Sequence, residues 1–306
     1  MTIARSAENS ANVGWCRAER RATLGPMRAP RPEPSSLRCA LAIAGLDPSG
    51  GAGIFADLRG FTAAGVWGCG ALALSTVQST AGMRSGRAMP TRELMAQVRE
   101  LWAEQDIKSI KIGALGSAAN VRAVLLWLRA IPDVVPVVLD PVMLPSRGAR
   151  TARLLDRSGV QALSALAARA TLVTPNVVEA ETLVGMPIRS IADAEQAARD
   201  LVRAGARAAL VKGGHLRESS SPGKTVDVLA IGSRIVQFSA PRVAVTVHGA
   251  GCTLASLIAG RLAKGGTSAG ASDQSIIAAV RWAKNRLHRA LRHPARIGAG
   301  LLVLPL

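Results

Sequence analysis

From Cys39 onward, short apolar segments alternate with stretches of helical spacing for about 260 residues, and glycines and polar side chains collect where the apolar segments end. Apolar runs too short for helices, separated by helices, are the pattern of an α/β fold with a mainly parallel central sheet and helices on both faces. The pattern predicts strands at Cys39–Ala44, Gly70–Thr76, Ser109–Ile112, Val135–Leu139, Thr171–Thr174 and Ala208–Val211. Helices are expected near 54–64, from 91, and near 118–129, 159–167, 192–204, 249–264 and 275–292. Val226–Ile231 and Arg234–Phe238, joined across Gly232-Ser233, read as a hairpin.

In such sheets ligands bind beyond the carboxyl ends of the strands. The residues found there are Asp47 to Asp57, Gln78, Asp140, Asn176 with Glu179, Lys212, and Gly249 to Cys252. The last group opens a helix whose apolar positions are Leu254, Leu257, Ile258 and Leu262. With glycine at 249 and 251, the first helical N–H groups face open space, and with the helix dipole they form an anion site. Cys252 lies in the first turn, where that field favours thiolate over thiol. An anion site with an acid/base group beside it suits phosphoryl transfer. The alternative is a glycine-rich helix start with a buried, inert cysteine.

Composition narrows the classes. The chain carries a formal net charge of +18, mostly as arginine, but only 3% of residues are aromatic and none is tyrosine. A base-stacking surface is therefore not expected. Arg281, Lys284, Arg286, Arg289 and Arg292 read as the solvated face of a helix whose other face is Ile276, Ile277, Val280, Leu287 and Leu291. No specific nucleic-acid partner and no membrane partner is expected, since the longest apolar runs are too short to span a bilayer. The four cysteines have neither disulfide-framework nor zinc spacing, which fits a reducing, cytoplasmic setting. Residues 1–37, rich in Arg and holding Pro26, Pro30, Pro32 and Pro34, read as a disordered basic extension; 38–306 read as a single domain.

Two nucleotide motifs fail on inspection. Gly51-Ala-Gly53-Ile-Phe-Ala56 has dinucleotide-fingerprint spacing, but no Asp or Glu lies between Asp57 and Glu93 to hold a ribose. Gly223-Lys224-Thr225 ends like a P-loop, but Glu218 occupies the required earlier glycine position.

Seven motifs then occur in order: Gly45-Leu-Asp-Pro-Ser-Gly-Gly-Ala-Gly-Ile-Phe-Ala-Asp57, Gln78-Ser-Thr80, Lys111-Ile-Gly113, Asp140-Pro-Val-Met143, Thr174-Pro-Asn-Val-Val-Glu-Ala180, Val211-Lys-Gly-Gly-His215 and His248-Gly-Ala-Gly-Cys-Thr253. Together they resemble the hydroxymethylpyrimidine/phosphomethylpyrimidine kinases of thiamine biosynthesis, in the ribokinase-like superfamily. The resemblance implies a ribokinase-like domain, usually homodimeric. It would use Mg²⁺ and ATP to phosphorylate 4-amino-5-hydroxymethyl-2-methylpyrimidine and then its monophosphate.

By position, Gly45, Ala52, Asp57, Gln78 and Val142 match the substrate pocket of that family, and a Gln amide can pair with a donor and an acceptor side by side. Gly249, Ala250 and Gly251 would cradle the moving phosphate, with Cys252 as base. Lys212, Asn176 and Asp140 would serve ATP, and Glu179 with Asp140 the magnesium ion. Ala114 stands where the family often has Met, and Ala250 where it usually has Thr. The wider pocket at Ala114 leaves a pyridoxal kinase of the same superfamily as one alternative. A degenerate pyrimidine-phosphate-binding protein is the other.

Overall fold

A computed structural model describes residues 37–143, 155–215, 223–266 and 270–306. The expected extension at 1–37 lies, except for Leu37, outside the described residues. Among the described residues nine strands form one sheet in the order β3-β2-β1-β4-β5-β6-β7-β8-β9. They are β1 (Cys39–Leu46), β2 (Trp67–Ser79), β3 (Gly82–Ala88), β4 (Ile107–Ile112), β5 (Val137–Leu139), β6 (Leu172–Val173), β7 (Ala208–Val211), β8 (Lys224–Ile231) and β9 (Arg234–Pro241). β1, β2 and β4 to β7 pair in parallel; β3, β8 and β9 are antiparallel additions at the two edges. The hairpin across Gly232-Ser233 forms as expected.

The helices are α1 (Gly53–Ala64), α2 (Thr91–Glu104), α3 (Ala118–Leu128), α4 (Arg157–Ala167), α5 (Val177–Val184), α6 (Ile191–Arg203), α7 (Ala250–Gly265) and α8 (Asp273–Leu291). β1 shows why they cover both faces of the sheet: it is buried from Cys39 to Gly45, with no polar side chain along that run. Leu41 and Ile43 point into a core built with α2, α3 and α4, while Ala40 and Ala42 meet α1, α7 and α8. The side carrying alanines is where helices come closest. A Cβ added at Gly60 in α1 would lie 2.8 Å from Ser256 Cβ, and one at Gly260 in α7 2.7 Å from Ala64 Cβ. Leu254, Leu257, Ile258 and Leu262 of α7 are all buried, as their spacing predicts. Each such side chain contributes about 1.5–3 kcal/mol relative to exposure.

Two expectations need correction. β2 runs beyond Gly70–Thr76 at both ends: Trp67–Cys69 pair with Cys39–Leu41 of β1, and β3 pairs from Leu74↔Ala88 to Ser79↔Gly82. The basic face of α8 is only partly solvated. Lys284 pairs with Asp227, and the Arg281 guanidinium lies 5.7 Å over the Phe238 ring, so β8 and β9 engage two of its five cations. Among the described residues no helix is long and apolar enough to cross a membrane.

Strand order places the site. The chain steps from β1 to β2 on one side and later returns to β4 on the other. The two loops leaving β1 and β4 therefore diverge, opening a crevice at the carboxyl ends, where open α/β sheets bind ligands.

Candidate active site

The loop after β1 is stitched by Asp47. Its carboxylate accepts hydrogen bonds from Ser49 N (2.9 Å), Ser49 Oγ (2.8 Å) and Ala52 N (2.9 Å), which folds Gly50–Gly53 back over the strand end. His248 Nε2 lies 2.7 Å from the same carboxylate, with both side chains 2% exposed. Burial works to raise the Asp47 carboxyl, but hydrogen bonds from His248 and Ser49 outweigh it and hold it below the usual range.

Next in the chain, Gly249 caps α7 at φ 77°, and a Cβ there would meet Gly51 O at 2.0 Å. Only glycine fits, so the turn after β1 and the start of α7 interlock. Among the described residues no side chain caps the first N–H groups of α7, as an anion site requires.

A pocket opens between these loops. Its walls include Gly45, Ala52, Gln78, Ala114, Val142 and Cys252. Gln78 and Cys252, 174 positions apart in the chain, thus line one cavity. Of the predicted substrate residues, Gly45, Ala52, Gln78 and Val142 reach its wall. Asp57 does not. It is wholly buried, and its oxygens accept from Lys111 Nζ (2.8 Å) and Ser256 Oγ (2.6 Å), so it meets the pocket only through Lys111.

Lys111 stands in one of the seven motifs, but the sequence assigned it no role. It is one of two lysines in β4, Ile-Lys-Ser-Ile-Lys-Ile, and its partner lies 54 positions earlier. Burial disfavours its charge, yet the surrounding Asp57, Cys252 and Asp140 raise its pKa overall. Burial also raises the Asp57 carboxyl. With donors on both Asp57 oxygens, the pair is ionised and the proton belongs to Lys111.

Around Cys252 the charges alternate. Lys212 Nζ donates to Asp140 Oδ1 at 2.9 Å, and a Cβ on Gly251 would lie 3.1 Å from Lys212 Nζ and 3.8 Å from each Asp140 oxygen. Burial opposes ionisation of Asp140, but the Lys212 and Lys111 charges and hydrogen bonds from Lys212 and the Cys252 thiol hold it below the usual range. Lys212 is raised against the pull of burial by Asp140 and Glu179.

Cys252 overturns the expected thiolate: it is pushed up to about 12. Burial is the main cause, and the Asp140 and Asp57 carboxylates add to it against the charge of Lys111. The helix dipole is a partial charge, while two full carboxylates sit nearby. In this state the residue is a thiol.

Asn176 caps α5: its side chain accepts from Glu179 N (2.9 Å) and Glu179 Oε2 accepts from Asn176 N (2.8 Å), a reciprocal capping box. Burial, with Asp140 adding to it, raises Glu179 to about 7 against the Lys212 charge. Among the described residues no group of three or more His, Cys, Asp or Glu side chains is placed to hold a metal ion. Asp140 and Glu179 are close enough to raise one another's cost of ionisation, and two carboxylates completed by phosphate oxygens and water is a donor set that suits magnesium.

A larger cavity at the opposite, amino-terminal ends of the strands is lined by Arg38, Lys108, Arg207, Arg261 and Lys264. Four of these cations are engaged: Arg38 with the last carbonyls of α7, Lys108 with Asp106, Arg207 with Asp273, and Arg261 over Trp282. The chemistry lies at the other end of the sheet.

Residues 47–304 match the family model for phosphomethylpyrimidine kinase. The chain belongs to the phosphomethylpyrimidine kinase family. A hydroxymethylpyrimidine/phosphomethylpyrimidine kinase from Haemophilus influenzae is 37% identical over 267 residues, covering 87% of this chain and 95% of its own length. The solved phosphomethylpyrimidine kinase from Clostridium difficile superposes with a TM-score of 0.68 at 28% identity, covering 83% of this chain and 99% of its own. A pyridoxal kinase from Staphylococcus aureus, solved with AMP-PCP and pyridoxal, gives 0.75 at 26% identity, covering 89% and 94%. Within the phosphomethylpyrimidine kinase family the architecture is ribokinase-like, and the activity is ATP-dependent phosphotransfer.

Proposed function

We propose that this chain phosphorylates 4-amino-5-hydroxymethyl-2-methylpyrimidine, and then the resulting monophosphate, with ATP. The observation that carries this reading is that a Gln amide fit for an aminopyrimidine edge and a thiol at the start of an uncapped helix line the same pocket. The amides of Gly249–Cys252 receive the charge that spreads over the transferred phosphoryl group. Lys212 neutralises phosphate from the β7 side, with Asp140 orienting its ammonium.

Magnesium would be held by Asp140 and Glu179, with Asn176 fixing the Glu179 side chain, and when bound it supplies charge neutralisation on the phosphates. The proton acceptor for the substrate hydroxyl is the thiolate form of Cys252, reached when the thiol proton is lost to water before the substrate binds. Lys111 favours its thiolate, and Lys212, by pairing with Asp140, weakens one of the carboxylates that oppose it. A loose transition state calls for that proton late, after most of the P–O bond to ADP has broken.

The test is a kinase assay on both pyrimidine substrates with mass analysis of the products. No turnover of the hydroxymethylpyrimidine would end this reading. Pyridoxal is the second substrate to assay, because Ala114 leaves space on the pocket wall and a pyridoxal kinase superposes well. Cytoplasmic location and a homodimer complete the reading; light scattering tests the latter.

A further inference from the structure

The amide of Gln78 lies between two hydrogen-bonding neighbours inside the pocket. Its Oε1 is 3.3 Å from Thr76 Oγ1 and its Nε2 is 3.2 Å from His248 Nε2. The two ends of an amide have the same shape, so the partners decide which atom stands where.

Thr76 has one hydroxyl proton, and it goes to Leu46 O at 2.7 Å. Toward Gln78 the hydroxyl can then only accept, so the amide end beside it is the N–H end. His248 gives the same answer from the other side. Its Nε2 is 2.7 Å from Asp47, a carboxylate that accepts from Ser49 and Ala52 as well and is held ionised by those bonds. A bare ring nitrogen there would face an anion. His248 Nδ1 is buried with no hydrogen-bond partner, so a proton on it would be unsatisfied. The ring proton is therefore on Nε2, shared between Asp47 and Gln78, and the amide end beside His248 is the oxygen. Both neighbours demand the same 180° turn of the amide from the placement above.

We infer that Thr76 and His248 are positioning residues that fix the polarity of the Gln78 amide and, through it, which way round the pyrimidine binds. This rests on the function proposed above. In 4-amino-5-hydroxymethyl-2-methylpyrimidine the amine sits between ring nitrogen N3 and the carbon bearing the hydroxymethyl arm. With oxygen on the His248 side, the amide accepts from the amine there and donates to N3 on the Thr76 side. The arm, on the far side of the amine from N3, then points toward His248 and the start of α7, where Gly249–Cys252 stand. The opposite polarity would turn the alcohol toward Thr76, away from the anion site. A Gln amide free to rotate reads either order; this one reads a single order.

The test pairs a structure of the enzyme bound to the pyrimidine alcohol with kinetics of Thr76→Val and Thr76→Ser. The expected complex has the amine on the His248 side of Gln78 and the hydroxymethyl oxygen on the Cys252 side. Thr76→Val, which keeps the shape and removes the acceptor, lowers kcat/KM for the alcohol about tenfold and leaves KM for ATP unmoved. Thr76→Ser keeps the parent value. Bound substrate with N3 on the His248 side, or a Thr76→Val enzyme as good as the parent, overturns the inference and leaves the proposed function standing. Absence of both binding and turnover of the pyrimidine removes the proposed function itself, and this inference with it.

Discussion

Lys111 Nζ and Asp57 Oδ2 lie 2.8 Å apart with both side chains at 0% exposure, and Lys111 forms part of the pocket wall below Cys252. A charge pair in so dry a place is a poor source of net stability but a costly thing to break, because the survivor is left uncompensated. Here it holds an ammonium group in the pocket wall that Cys252 also lines.

Lys111→Met is expected to destabilise the fold by about 3–5 kcal/mol, since it strands Asp57. The double variant Lys111→Met/Asp57→Leu should recover most of that loss while remaining inactive. Urea unfolding of the three proteins checks the stability half, and steady-state turnover the other. Equal destabilisation by the single and double changes would show that the pair is not the cause.

Gly249→Ala tests the interlock of the two loops. The new Cβ would have to occupy a position 2.0 Å from Gly51 O at a φ of 77°. Backbone strain of that kind costs about 1–3 kcal/mol even before the clash. A lowered Tm together with a lowered kcat is expected. Parent-like values of both would mean that the α7 start does not need this geometry.

Much of the fold was legible because strand and helix lengths are set by local pattern: β1, α1, β4, α3, β7 and the β8–β9 hairpin all form near their predicted bounds. β3 was not legible. Gly-Met-Arg-Ser-Gly-Arg-Ala has no alternation and no β-branched residue, and it becomes a strand only because the edge of β2 offers it unpaired backbone groups. In the site, the glycines announced themselves, since a turn or helix start needs them locally. The ionisation of Cys252 did not. A helix dipole can be read from one segment, but the burial and the carboxylates that reverse its effect come from α1 and the end of β5. Asp47 and His248 stood in the motifs, but their pairing was not legible, the two being 201 positions apart.

If Glu179 holds the nucleotide's magnesium as proposed, nucleotide binding will depend on pH. Raised to about 7, it is mostly protonated at pH 6 and mostly ionised at pH 8, and only the ionised form holds a cation. Affinity for a magnesium–ATP analogue should therefore fall about tenfold from pH 8 to pH 6. Glu179→Gln should remove this dependence and leave only the titration of the nucleotide itself. Calorimetric titrations at the two pH values decide it; an unchanged slope in the variant would take Glu179 out of the metal's coordination.

The measurement that bears most directly on the whole account is phosphorylation of the pyrimidine alcohol by the parent enzyme and by Cys252→Ala under saturating magnesium–ATP, with nucleotide affinity measured in parallel. The account predicts a phosphorylated product from the parent and a fall in kcat of roughly 10²–10⁴ in the variant, the usual reach of a proton acceptor, with ATP affinity nearly unchanged. A variant that turns over at the parent rate would contradict it.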